Sequence, residues 1–154
     1  MENEVDIAGL IHKGGILKDI DGNTPEEIYQ KVCTMIDLPD GMTAEHVYNA
    51  LCAREEVLST AVGNGIALPH ARSPIMKSEE EQRICVVYLK HPIDMNAPDE
   101  REVYVMFILL TCNPQVHLKI LSALAGLFRK PQFRKALESG AGEAELLNLI
   151  RELD

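Results

Sequence analysis

Apolar residues recur along this chain in two rhythms, and the change from one to the other marks out its elements. Ile28, Val32, Met35 and Ile36 lie on one stripe at helical spacing. Thr24-Pro25-Glu26-Glu27 starts that helix: the Thr hydroxyl can cap, Pro suits the first helical position, and Glu27 completes a capping box. Leu38-Pro39-Asp40-Gly41 is a turn signal and ends it. Thr43 caps a second helix, in which Val47, Ala50, Leu51 and Val57-Leu58 recur through a stretch ending near Glu56. That helix delivers the chain to a glycine-containing segment that begins at Gly63.

The rhythm then changes. Ile84 to Leu89 and Val103 to Leu110 are short, β-branched and continuously apolar, the pattern of strands covered on both faces. Between them, His91-Pro92-Ile93-Asp94-Met95-Asn96-Ala97-Pro98-Asp99-Glu100 is dense in turn formers and charge and reads as a surface loop. Asn113-Pro114 starts a further helix, and Val116, Leu118, Ile120, Leu121, Leu124, Leu127 and Phe128 make it apolar almost all round, which predicts burial. Two shorter helices are expected, one after Pro131 and one from Glu143 to Arg151. The stretch from Ile7 to Ile20 is read as holding a strand, its pattern weakened by Gly14-Gly15. Helices and strands alternate without a repeat, which predicts an α/β fold: a central sheet covered by helices.

Composition narrows the functional classes. The chain has 154 residues, 46% of them hydrophobic, enough to bury one substantial core, so residues 1–154 are expected to form one domain. A net charge of −9 repels nucleic acid phosphates and anionic lipid, and favours a basic protein partner. Cys33, Cys52, Cys85 and Cys112 lack the spacing of a zinc site or a redox pair and read as free thiols in a reducing compartment. The N-terminus Met1-Glu2-Asn3-Glu4-Val5-Asp6 is acidic, unlike a signal peptide, and no apolar run approaches the roughly eighteen residues that span a bilayer. Direct membrane insertion is therefore not expected, and a cytoplasmic protein is.

The candidate chemistry lies in Gly63-Asn64-Gly65-Ile66-Ala67-Leu68-Pro69-His70-Ala71-Arg72. Two glycines around a short polar residue let backbone N–H groups approach an anion, although the same triplet also serves as a tight turn. The apolar run that follows presents an imidazole at its exit, and a largely neutral imidazole is a suitable phosphoryl acceptor. A satisfied histidine at a strand end is the other reading of His70. Arg54 offers planar donors matched to phosphate oxygens, or else is a solvated cation at a helix end. His117 follows Asn113-Pro114 in a first helical turn, where an anion is favoured, and is a candidate second phosphate ligand. Ser59 and Thr60 are candidate hydroxyl donors, and Arg72 and Lys77 candidate rim residues. No ligand spacing supports a metal site built from His70, His117 and a cysteine.

The segment Arg54-Glu55-Glu56, Ser59-Thr60 and Gly63 through Arg72 closely resembles the fructose/mannitol and nitrogen-regulatory class of IIA components of the bacterial sugar phosphotransferase system. The likeness continues through Ile93-Asp94, Ala97-Pro98-Asp99, the strand Val103 to Leu110 and His117-Leu118-Lys119-Ile120-Leu121, covering about residues 16–150. The resemblance implies a mixed sheet of about five strands flanked by helices, with no metal, nucleotide or other cofactor. It implies that His70 accepts a phosphoryl group from a small phosphocarrier protein phosphorylated on its own histidine, with His117 and Arg54 steadying the group. Ser59, Thr60, Gly63, Asn64 and Gly65 complete the expected phosphate contacts. The acceptor is then a cysteine of a IIB component, or, in a regulatory branch, phosphorylation itself switches binding to other proteins. Thr60-Ala61-Val62-Gly63 departs from the family pattern, which has glycine at the position of Ala61; a requirement for positive φ there would reshape the loop.

Overall fold

In the computed structural model, which describes residues 5–153, the elements run α1 (Ile7–Gly14), β1 (Ile16–Ile20), α2 (Pro25–Met35), α3 (Ala44–Val57), β2 (Ala61–Gly63), β3 (Ile66–Ala67), β4 (Arg83–Ile93), β5 (Val103–Leu110), α4 (Pro114–Phe128), α5 (Pro131–Glu138) and α6 (Glu143–Leu153). Part of the acidic N-terminal stretch read above, residues 1–4, lies outside the described residues, as does residue 154.

One five-stranded sheet, in the order β1-β4-β5-β3-β2, organises the chain. β1 with β4 and β3 with β5 are parallel, whereas β4 with β5 and β2 with β3 are antiparallel, so the expected mixed sheet is present. The continuously apolar strands are covered on both faces. Ile84, Val86, Phe107 and Leu109 pack under α1, α4, α5 and α6, and Cys85, Val87, Met106, Ile108 and Leu110 pack under α2 and α3. Phe107, Phe128 and Phe133 stack against one another in the first core, with Phe107 and Phe128 edge to face at 5.2 Å.

The helix starts follow their capping residues. Thr24 Oγ1 accepts from the Glu27 N–H at 3.2 Å, while Glu27 reaches back to the Asn23 N–H at 2.9 Å, one residue beyond the usual box. Thr43 caps α3 through the His46 N–H at 3.1 Å, and Asn113 caps α4 through the Val116 N–H at 2.8 Å.

Three expectations are corrected. The stretch Ile7 to Ile20 holds a helix before its strand, because Asp6 accepts from the Gly9 N–H and caps a first turn. The Gly14-Gly15 pair that weakened the strand pattern is the joint between the two. A Cβ on Gly14 would stand 2.0 Å from the Ile84 carbonyl oxygen, and Gly15 turns the chain at φ +83°. β4 runs on to Ile93, which pairs with Val103, so the loop predicted from His91 begins at Asp94. Pro92 falls where the register shifts between Tyr88 and Ile93, the place where a missing N–H costs the ladder least. Finally, α4 is not buried all round: it buries Ile120, Leu124, Leu127 and Phe128 but leaves Leu118 66% exposed.

Candidate active site

His70 lies just beyond β3, whose line continues alongside β5: the Pro69 carbonyl accepts from the Leu109 N–H at 2.9 Å, and His70 itself bridges to Leu109. β5 leads within a few residues to Asn113, which starts α4 and so brings His117 to the same end of the sheet. The last turn of α3 supplies Arg54. Three segments distant in sequence thus converge beyond the carboxyl ends of two parallel strands, where open α/β sheets place their ligand sites. Arg54, Val57, Leu58, His70, Arg72 and His117 line an open cavity of about 460 Å³ there, with Leu118 on its edge.

The geometry assigns the nitrogens of His70. Nδ1 stands 2.7 Å from the Leu68 carbonyl oxygen, which only accepts, so Nδ1 carries the proton and Nε2 keeps its lone pair. The ring of His117 lies 4.7 Å away, centroid to centroid, with its Nδ1 3.3 Å from the buried Thr111 hydroxyl. Burial lowers the pKa of His70, opposed by the Leu68 carbonyl; Arg54 lowers it further and Glu55 raises it. Burial, then the proximity of His70, push His117 down to about 4. Both imidazoles are accordingly neutral near pH 7, the form in which nitrogen is nucleophilic. The Arg54 guanidinium donates to the Leu58 carbonyl at 2.5 Å, across the uncapped end of α3, and lines the cavity beside His70.

The remaining expected phosphate contacts do not line this cavity. Ser59 Oγ donates to the Met95 carbonyl, and Thr60 gives both its N–H and its hydroxyl to the Glu55 carboxylate at 2.8 and 2.7 Å. Gly63-Asn64-Gly65 forms the turn of the β2–β3 hairpin, with φ of +100°, +56° and +80°. That turn precedes β3 and His70 follows it, so the two stand at opposite ends of the strand. An anion does occupy the turn, but it is the chain's own: Asp99 Oδ2 accepts from the Asn64 N–H at 2.8 Å. This bond, with that from the Arg101 N–H, holds the Asp99 carboxyl below the usual carboxylate range. Arg72 lines the cavity as expected, whereas Lys77 does not and uses its N–H on Glu81. Ala61 pairs with Ala67 in β2 and is not among the residues at positive φ, so its side chain reshapes nothing.

Sequence reasoning missed several contributors. Glu55 had no assigned role, and its only signal was its place directly after Arg54. Thr111 carries no local signature. Val57 and Leu58, counted among the apolar positions of α3, are 62% and 68% exposed and form an apolar rim with Leu118. Among the described residues, no group of three His, Cys, Asp or Glu side chains is placed to hold a metal ion. No described helix is long and apolar enough to cross a membrane.

The chain is similar to known proteins in both sequence and fold. The chain is 26% identical over 145 residues to a nitrogen regulatory protein of Pseudomonas aeruginosa, with 92% of each chain covered. It is 26% identical over 151 residues to the PTS system fructose-specific EIIABC component of Bacillus subtilis, spanning 96% of this chain and 23% of that protein. The crystal structure of nitrogen regulatory protein IIA-Ntr from Neisseria meningitidis superposes with a TM-score of 0.76 at 25% identity, covering 88% of this chain and 92% of that one. The family profile described as phosphoenolpyruvate-dependent sugar phosphotransferase system, EIIA 2, matches residues 10–153. The chain belongs to that EIIA 2 family of the sugar phosphotransferase system.

Proposed function

We propose that this protein is a phosphoryl carrier that accepts its phosphoryl group on Nε2 of His70 from a small carrier protein phosphorylated on histidine. The observation that carries the reading is the bond from His70 Nδ1 to the Leu68 carbonyl, which leaves Nε2 as the nucleophilic nitrogen. In the transfer, the phosphorus–nitrogen bond of the donor breaks as a new one forms at Nε2, and the proton on Nδ1 stays in place. Such a step needs alignment and charge stabilisation more than acid or base catalysis. Arg54 supplies the charge and His117 a neutral ring beside the group. The apolar rim of Val57, Leu58 and Leu118 seats the partner.

From His70 the group passes to a cysteine of a IIB component, or it remains as a signal. The likeness to the nitrogen regulatory protein of Pseudomonas aeruginosa, over 92% of each chain, supports this second, regulatory reading, in which the added negative charge switches binding to target proteins. Either role is a cytoplasmic one. Incubation with the general phosphotransfer proteins and labelled phosphoenolpyruvate is expected to give an acid-labile, base-stable phosphoprotein. Equal labelling of His70→Ala overturns the assignment. Onward transfer to candidate IIB proteins selects the transport role, and partner binding that changes with phosphorylation, without onward transfer, selects the regulatory one.

A further inference from the structure

A continuous run of hydrogen bonds leads from the interior of the α2–α3 face to the ring of His70. It begins at Glu55, whose Oε1 accepts from the Tyr29 hydroxyl at 2.6 Å and the Thr60 hydroxyl at 2.7 Å, and whose Oε2 accepts from the Thr60 N–H at 2.8 Å. The Thr60 carbonyl accepts from the Leu68 N–H at 2.9 Å. The Leu68 carbonyl accepts from His70 Nδ1 at 2.7 Å. Tyr29 is fully buried and Thr60 is 5% exposed, so both depend on the half-buried Glu55 carboxylate as their side-chain acceptor.

We infer that Glu55 is a positioning residue for phosphoryl transfer, fixing the place and tautomer of His70 through Thr60 and Leu68 without touching the phosphoryl group. This rests on His70 being the phosphoryl acceptor. Three donors converge on one side chain, two of them on a single oxygen, and a group made only of acceptors is required to satisfy them all. A glutamine cannot accept all three: with its NH₂ toward the Thr60 N–H two donors meet, and with its NH₂ toward the hydroxyls Tyr29 and Thr60 must turn their own O–H groups away and lose this acceptor. Thr60 is then free to shift, and the Leu68 peptides on which the imidazole hangs shift with it. Displacements of this kind are costly in transfer reactions because rate depends on the alignment of the reacting atoms. Glu55 also stands beside Arg54, so one turn of α3 supplies both the cation that lines the cavity and the anion that holds the nucleophile's support.

The experiment compares the whole protein with its Glu55→Gln variant. In the unphosphorylated wild type, ¹⁵N spectra of the His70 imidazole are expected to show the Nδ1–H tautomer, and the variant a mixture of tautomers. With histidine-phosphorylated carrier as donor, kcat for labelling is expected to fall about tenfold while KM for the carrier stays the same. A folded Glu55→Gln variant with an unchanged tautomer and unchanged kcat overturns the inference. If that variant fails to fold, Thr60→Val removes one of the three bonds without changing shape. It is expected to move both readouts in the same direction by a smaller amount, and no movement in either overturns the inference. Absence of labelling in the wild type would count against the proposed function instead, and the tautomer spectra would still decide the role of Glu55.

Discussion

The rings of His70 and His117 face each other at 4.7 Å and 54°, and this closeness adds to burial in holding His117 neutral down to about pH 4. Both histidines are harder to protonate in the folded chain than in the unfolded one, where their pKa is about 6.5. Below about pH 6.5 the unfolded chain therefore binds more protons, and stability falls as pH drops toward 4. Urea midpoints measured at pH 7, 5.5 and 4.5 are expected to decline, and to decline less steeply in His117→Gln. Parallel curves for the two proteins would remove His117 from the linkage.

Phosphorylation of His70, as proposed, would reverse the electrostatics at His117. A phosphoryl group on His70 places negative charge beside a ring now depressed by burial and by a neighbouring imidazole. The His117 titration followed by NMR is expected to move upward on phosphorylation, and a stationary titration would place the group away from His117.

Arg54 lines the cavity while its guanidinium bonds only the Leu58 carbonyl among the described residues. Its loss is expected to slow phosphoryl transfer by about ten- to a hundredfold, the range of one preorganised donor at a developing charge. The cost to stability is one hydrogen bond, about 1 kcal/mol. Transfer kinetics and urea unfolding of Arg54→Ala separate the two effects, and unchanged kinetics would leave Arg54 as a helix cap.

Leu118, 66% exposed on the rim, has no packing role to lose. Leu118→Glu is expected to raise KM for the phosphorylated carrier about tenfold, to leave kcat unchanged, and to alter stability by less than about 0.5 kcal/mol. A change in kcat alone would place Leu118 in the transfer step.

At the far end of β3, a Cβ on Gly65 would stand 2.4 Å from the Tyr104 ring with φ at +80°. Gly65→Ala is expected to destabilise the fold by about 2 kcal/mol or more and to leave labelling of the folded fraction within about twofold of wild type. Lost labelling in a stable variant would return the glycine turn to the phosphate site. Asp99, which fills that turn, has its carboxyl pKa lowered, so its contribution is present above the unfolded carboxylate range and is lost as pH falls through the folded value. Asp99→Asn is expected to flatten that part of the pH–stability curve.

Local chemistry was enough to read much of this protein. Thr24-Pro25 and Asn113-Pro114 place the starts of α2 and α4 because a cap is satisfied within the next few residues, and the apolar run from Val103 to Leu110 coincides with β5. His70, Arg54 and His117 were legible as candidates because their side chains suit phosphate and their motif matches one family. Tertiary structure decided what periodicity cannot report, namely what lies opposite a residue. Leu118 and Leu58 read as core until the neighbouring elements leave them uncovered at the cavity. Gly63-Asn64-Gly65 reads as a cradle for phosphate until Asp99, 35 residues away from Asn64, is found in it. Glu55 gains its role only when folding brings Tyr29 and Thr60 to one carboxylate and carries their order on to His70. A sequence specifies the donors and acceptors it carries, but their pairing depends on closure of the intervening chain, and only the packed sheet and helices determine which of them meet.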